Sequence, residues 1–312
     1  MKLHQTRILV TGANGFLGRY VVKELKRKGY QSILTPLSTQ YDLRDLEACK
    51  KIVSQSNIVI HLAANVGGIG YNKKYPADLL YDNLIMGLNI LQSAKEAKTK
   101  KLVSLGTVCS YPKYSPLPFR EENLWDGYPE ETTAAYGLAK KMLMVGGQMF
   151  EKQHGLHSIY LIPVNLYGPD DNFDIKRSHV ISALIKKIYE AKIQNQASVS
   201  VWGTGTASRE FIYVEDAARA IVLAMEKYNG KEPVNIGSGK EIFIKDLVGL
   251  IAKYIGYKGK ISWDKTKPDG QPRRVLNVER AYREFGFKAQ VPFSEGIQKT
   301  IQWYIKTCRK HK

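Results

Sequence analysis

The turn Thr11-Gly12-Ala13-Asn14-Gly15-Phe16-Leu17-Gly18 constrains this chain more than any other stretch, because of what flanks it. Ile8-Leu9-Val10 before it reads as a buried strand, and the helical pattern after it turns Val21, Val22 and Leu25 inward. Gly12 and Gly15 let the backbone turn tightly and approach a pyrophosphate, Gly18 allows close helix packing, and the helix start offers free N–H groups and a positive dipole end. Apolar runs at 7–10, 58–62, 102–105 and 158–162 alternate with amphipathic helical stretches. Parallel strands need crossover helices on both faces, so this alternation predicts a doubly wound α/β sheet. After Gly168 the pattern loosens into a helix over 179–191 and short strands at 199–202 and 211–213. The expected division is a dinucleotide-binding domain over 1–168 and a smaller substrate lobe over 169–312. The boundary is interleaved, since strands at 234–236 and 261–263 suit either part.

The GxxGxxG spacing resembles the Rossmann turn of the extended short-chain dehydrogenases, and the second strand bears on the choice of dinucleotide. After Ser32-Ile33-Leu34 come Thr35, Pro36, Leu37 and Ser38, with no Asp or Glu where a carboxylate would hold the ribose 2′-hydroxyl of NAD. NADP(H) is the expected cofactor, although an Arg that often grips the extra phosphate in related reductases is replaced here by Asn14. Asp42 is suited either to accept from the adenine amino group or to cap its own loop.

Tyr136-Gly137-Leu138-Ala139-Lys140 sets a phenol and an ammonium four residues apart, which on a helix brings both to one face. At roughly 4 Å and an effective dielectric of about 20, such a charge contributes about 4 kcal/mol. Tyr136 is therefore expected to be acidified by Lys140. Upstream, the strand at 102–105 runs into Gly106-Thr107, which sets a hydroxyl at the carboxyl edge of the sheet, where this architecture binds ligands. Thr107, Tyr136 and Lys140 make a hydride-transfer site: Thr107 orients a carbonyl, Tyr136 moves the proton and the nicotinamide moves the hydride.

With 312 residues, 44% of them apolar and 24% charged, the chain has the makings of an ordinary folded protein. Its formal charge of +18 invites a polyanion as partner. The basic residues argue against nucleic acid, because they come as scattered surface pairs (Lys73 with Lys74, Lys140 with Lys141, Lys186 with Lys187) without interleaved aromatics. A pyrophosphate-bearing small molecule fits better. Cys49, Cys109 and Cys308 are too few and too far apart for a disulfide framework or a metal site. With no apolar run near the roughly 20 residues a span needs, no membrane association is expected, and the setting is cytoplasmic.

The tract His61-Leu62-Ala63-Ala64-Asn65-Val66-Gly67-Gly68-Ile69 resembles the AAxVGG segment of the GDP-L-fucose synthases. Leu105-Gly106-Thr107-Val108-Cys109-Ser110-Tyr111-Pro112 is similar as well, as are the stretch from Pro163 through Tyr167-Gly168-Pro169 to Phe173, Ser178-His179-Val180, and Val201-Trp202-Gly203-Thr204-Gly205 continuing to Arg209-Glu210-Phe211. The resemblance covers nearly the whole chain. It implies exchange of protons at C3 and C5 of a GDP-4-keto sugar, followed by NADPH-dependent reduction at C4. By the same resemblance Cys109 is the base and His179 the acid. Phe16, Leu17, Ala63, Ala64 and Pro163 join the glycine turn, Asn14 and Asp42 around the cofactor. Asn165 contacts the sugar, Lys187 and Arg209 bind the diphosphate, Trp202 lies against the nucleotide and Asp269 belongs to the substrate site. Taken alone, Trp202 reads equally as a core aromatic. Thr107 stands where serine is commoner, which keeps the hydroxyl; Lys187 stands where an arginine can occur, which loses bidentate geometry.

The stretches 79–94 and 136–150 carry apolar residues on more than one face (Leu84, Ile85, Leu88 and Leu91; Met142, Leu143, Val145 and Met149), which suggests pairing; in related enzymes these two helices build a four-helix contact between subunits, so the resemblance implies a homodimer. Two rival readings are a C4-reductase or epimerase for another GDP-4-keto sugar, such as a deoxyheptose or colitose precursor, and a catalytically silent NADP-binding regulator.

Overall fold

The computed structural model describes residues 6–174, 177–267 and 269–310. The chain runs β1 (Ile8–Thr11), α1 (Phe16–Arg27), β2 (Ile33–Leu34), α2 (Leu46–Val53), β3 (Ile58–His61), α3 (Ile69–Lys74), α4 (Pro76–Glu96) and β4 (Lys101–Leu105). It continues through α5 (Ala134–His154), β5 (Ser158–Pro163), β6 (Asn165–Tyr167), α6 (Val180–Ile193), β7 (Ser198–Trp202), β8 (Ser208–Tyr213) and α7 (Val214–Lys227). β9 (Val234–Ile236), β10 (Glu241–Phe243), α8 (Ile244–Ile255), β11 (Lys260–Asp264), α9 (Glu279–Phe285) and α10 (Phe293–Lys310) complete it.

Six strands form a parallel sheet in the order β2-β1-β3-β4-β5-β9. β1, β3 and β4 are buried at every position, as strands covered on both faces must be. The expected strands at 7–10, 58–62, 102–105 and 158–162 are all present within a residue or so. The strand order reverses at β1, so the ligand crevice opens beyond the carboxyl ends of β1 and β3. The chain leaves those ends at Gly12 and Leu62, and leaves the neighbouring strands at Gly106 and Val164.

A second apolar core gathers Tyr167, Ile181, Ile185, Phe211, Ile251, Ile297 and Tyr304 around the small sheets β10-β8-β6 and β11-β7. Of the two strands left open by the sequence, β9 joins the large sheet and β11 pairs with β7. The first core also takes in α7 and Phe285, well past residue 168.

Lys140 and Lys141 are not surface charges: each is 2% exposed, and Lys141 Nζ donates to Leu124 O at 2.5 Å. Buried Lys101 is used similarly, donating from Nζ to Met225 O at 2.8 Å and Tyr228 O at 2.6 Å to close the carboxyl end of α7. Among the described residues no helix is long and apolar enough to cross a membrane.

Candidate active site

At the end of β1 the Thr11 hydroxyl accepts from Leu62 N and Ala63 N, both at 3.2 Å, and pairs with His61 Nδ1 at 2.9 Å. This stitches the loop after β3 to the glycine turn. Gly12 has φ +68°, and a Cβ there would fall 2.8 Å from Ala63 N, so glycine is required on both counts. Gly18 packs against Gly12 O with no room for a side chain. Gly15 is the N-cap of α1, leaving Phe16, Leu17 and Gly18 in a first turn whose N–H groups face outward from the helix end. Asn14 is exposed, and its backbone carbonyl accepts from Arg19 Nε at 3.0 Å. His61 is fully enclosed, and burial, with the Lys140 charge adding, pushes its imidazole down to about 3. It is a neutral strut between strands.

Asp42 forms an ion pair with Arg44 at 2.7 Å and accepts from Arg44 N at 3.0 Å, the loop-capping role that the sequence left open. Ala63 and Ala64 line the loop beyond β3, half-buried, and Pro163 ends β5 opposite Ile236.

β4 delivers Thr107 to the crevice. Its hydroxyl accepts from Cys109 N at 3.2 Å and so caps the short 3-10 turn Val108–Ser110. That turn seats on the start of α5: Ser110 Oγ donates to Gly137 O at 2.8 Å, and a side chain at Gly137 would strike Cys109 O. Gly137 therefore lets the strand-end turn and the tyrosine-bearing helix touch. Cys109 lies within electrostatic reach of Tyr136. Behind the helix, Tyr160 OH donates to Lys140 O at 2.7 Å, standing where Gly106 has no side chain.

The expectation that Lys140 acidifies Tyr136 is corrected. Burial, with Cys109 adding, raises the phenol well above its usual range, and burial brings the Lys140 ammonium down to about 8. Dehydration of the phenolate is the larger cause, and Cys109 acts in the same direction.

Arg209, on β8, donates from Nη2 to Asp269 O at 3.1 Å. Burial, with Arg274 as a like-charged neighbour, brings it down to about 10, while Cys109, Asp269 and Glu130 oppose the shift. Arg274 Nη1 lies 3.7 Å from Cys109 Sγ. Asn165 opens β6 and donates to Glu210 O at 2.9 Å. The Asp269 carboxylate holds Thr204 N at 2.7 Å and Thr204 Oγ1 at 2.8 Å, so it ties down its own loop. Trp202 is 59% exposed with the Lys267 ammonium 5.7 Å from its ring centre, which removes the core reading. It pairs in β7 with Asp264, a carboxylate held below its usual range by Thr266 first and, more weakly, by Lys267 and Lys187. His179 is the N-cap of α6, with an exposed side chain that makes no cap hydrogen bond.

Sequence reasoning passed over Gly137, Tyr160, Arg274 and the function of Glu210. Gly137 was visible inside Tyr136–Lys140 as the one residue small enough for close approach. Arg274 gave no signal, being one of several basic residues in a polar run. Glu210 is completely buried and accepts from Ser238 N, Gly239 N and Leu276 N at 2.5, 2.7 and 2.6 Å, joining β8 to two distant loops.

Comparison with known proteins agrees with this geometry. The model of the NAD dependent epimerase/dehydratase family matches residues 8–237. GDP-L-fucose synthase 1 of Arabidopsis thaliana is 39% identical over 302 residues, covering 96% of this chain and 93% of that protein. A GDP-L-fucose synthetase from Naegleria fowleri, solved bound to NADP, superposes with a TM-score of 0.89 at 30% identity, covering 98% of this chain and 96% of that one. A GDP-6-OMe-4-keto-L-xylo-heptose reductase from C. jejuni superposes with a TM-score of 0.91 at 25% identity, covering 98% and 99%. Match and geometry coincide from the glycine turn to the strand that completes the large sheet, and the chain belongs to the NAD dependent epimerase/dehydratase family.

Proposed function

We propose that this chain is an NADP(H)-dependent GDP-L-fucose synthase, which epimerises GDP-4-keto-6-deoxy-D-mannose at C3 and C5 and then reduces C4. The observation that carries this is the Cys109 turn seated on the start of the Tyr136 helix, where a Cβ at Gly137 would strike Cys109 O, with the Arg274 guanidinium 3.7 Å from the thiol. One pocket thereby holds an acceptor for protons leaving carbon and a donor for a proton arriving at oxygen.

The glycine turn fits a dinucleotide, because the bare Gly12 backbone against Ala63 leaves a cradle that any Cβ would fill. Gly12, Asn14, Gly15, Phe16, Leu17 and Gly18 would hold its phosphates, Asp42 the adenine side, and Ala63, Ala64, Pro163, Tyr136 and Lys140 its nicotinamide half. When bound, the reduced nicotinamide supplies the hydride for C4.

The hydroxyls of Thr107 and Tyr136 polarise the C4 carbonyl, which makes the protons on its two neighbouring carbons removable. Cys109 takes such a proton as a thiolate, and His179 returns one to the opposite face. Both exchange with water between the two inversions. In the reduction Tyr136 gives its proton to O4 as the carbonyl becomes an alcohol. A phenol kept protonated by burial suits this direction, because the developing alkoxide is more basic than any phenolate. Lys140 supplies positive charge beneath it. Arg209 and Lys187 hold the diphosphate, Trp202 stacks on the nucleotide, Asn165 meets the sugar, and Asp269 acts through the Thr204 loop.

The exposed side chains Leu80, Tyr81 and Leu88 on α4 and Met142 and Met149 on α5 support a homodimer through these helices. Leu91 and Leu143, counted toward that face from the sequence, are buried in the chain's own core. The two-lobe division near Gly168 and a cytoplasmic setting complete this reading.

The test is to offer GDP-4-keto-6-deoxymannose and NADPH in deuterated water, following nicotinamide absorbance and the labelled product. Cofactor oxidation with deuterium at both C3 and C5 is expected. Reduction without label would make the chain a plain C4-reductase, as the likeness to the heptose reductase favours, and no oxidation at all would sink the proposal.

A further inference from the structure

His179 makes no side-chain cap hydrogen bond at the start of α6, and it lies within electrostatic reach of the buried Asp171 carboxylate. Its backbone is placed by the segment before it. That segment is fastened to the loop after β3. Gly68 N donates to Arg177 O at 3.2 Å, and a Cβ at Gly68 would come 2.7 Å from Ser178 O. The Arg177 guanidinium lies over the Tyr71 ring, 4.5 Å from its centre, while Arg177 Nη2 donates to Tyr71 OH at 2.8 Å. Tyr71 OH donates in turn to Asn65 Oδ1 at 3.1 Å. Asn65 is anchored by its own amide on Asp82 at 3.0 Å, and Asn72 Nδ2 locks the two-glycine loop through Gly67 O at 2.7 Å and Gly68 O at 3.1 Å.

We infer that Tyr71 is a positioning residue for His179, latching the segment 177–178 to the Gly67-Gly68 loop. The inference rests on the reading of His179 as the acid of the epimerisation. Two independent contacts make the latch, a ring face against a cation and a hydroxyl between a donor and an acceptor, and each restricts a different motion of Arg177. The glycines serve the same end: Gly68 admits the Ser178 carbonyl, and Gly67 admits the Tyr71 ring, whose Cδ1 would lie 2.7 Å from an added Cβ. Tyr71 itself touches neither Thr107, Cys109, Tyr136 nor Lys140 by any hydrogen bond among the described residues. A fault in the latch should therefore reach proton return and leave hydride transfer alone.

Tyr71→Phe keeps the ring and loses the hydroxyl; Tyr71→Leu loses both. Three quantities are compared with the unmodified chain: hydrogen exchange at the Gly68 amide, deuterium entry at C3 and C5, and C4 reduction of a 4-ketone supplied already epimerised. In Tyr71→Leu, Gly68 protection should be lost and deuterium entry should fall on the order of 100-fold, the scale of a misplacement of about 1 Å, with reduction unchanged. Tyr71→Phe should lie between, a graded rescue that a merely structural role would not give. The latch is overturned if Gly68 protection is the same in all three chains, if protection is lost while deuterium entry keeps its rate, or if reduction falls in step with epimerisation. An unmodified chain that reduces without labelling sinks the proposed function, and this inference with it; equal labelling in all three chains sinks the latch alone.

Discussion

Cys109 Sγ faces Arg274 Nη1 at 3.7 Å, and Arg274 is fixed there by Gln271, whose own amide is held by Lys113 O at 2.7 Å. A guanidinium so placed gives the sulfur a charge-assisted partner once its proton has left. Arg274→Met should slow deuterium entry at C3 and C5 by about 10- to 100-fold, with Arg274→Lys restoring part of it. Labelling at the unmodified rate in Arg274→Met would show that the sulfur works without this neighbour.

Tyr136→Phe removes the proton donated to O4 while keeping the ring. C4 reduction should fall by at least about 100-fold, and titration of NADPH fluorescence should show binding retained. Lost cofactor binding would mean that the phenol serves the dinucleotide before it serves the ketone.

Lys140 is present as an ammonium below about pH 8 and loses its proton as pH rises through that value. Tyr136, raised by burial, stays protonated across the same interval. The rate of C4 reduction should therefore decline above about pH 8 along a one-proton limb set by Lys140. In Lys140→Met the limb should vanish and the plateau should be lower. A limb that survives the substitution belongs to another group.

Burial pushes Glu210 up to about 7 from 4.5, with its three backbone donors opposing the shift. The folded chain thus binds this proton more tightly than the unfolded chain, so the group's contribution to stability falls as pH rises from about 4.5 to about 7 and is constant above. The full change is on the order of 3 kcal/mol. Urea midpoints at about pH 5 and about pH 8 should differ in this sense, and Glu210→Gln should remove the difference. Gln should also cost about 2 kcal/mol at the lower pH, because its amide nitrogen meets backbone donors.

On α4 and α5, Leu88 and Met149 are 48% and 51% exposed. The double substitution of Leu88→Glu and Met149→Glu should leave the secondary structure intact and shift light scattering from dimer to monomer. A monomeric parent chain would refute the four-helix contact outright.

Much of the fold was legible because strand burial and glycine spacing are local: the run to Val10, the turn to Gly18 and the next helix specify one another. Tyr136 and Lys140 were legible for the same reason, as a helical repeat fixes their common face. What the spacing could not give was the dielectric around them, and that decides the direction in which Tyr136 shifts. Trp202 was ambiguous because β7 alternates exposed and buried positions, and one residue of register separates core from surface. Arg274 and Tyr71 act through partners more than 100 residues away in the chain. No periodicity carries that information.

β9 lies far along the chain from the strand it covers, yet it closes the open side of β5. Asn235 on it is wholly enclosed, receives the Tyr111 hydroxyl at 2.7 Å and donates to Phe119 O at 3.0 Å. A fragment ending at Gly168 would expose an unpaired apolar edge and strip α1 of the helix packed on it, so it should aggregate rather than bind dinucleotide. Grafting a foreign sugar-binding half onto this scaffold would accordingly require several splice points, with residues 214–236 kept from the parent.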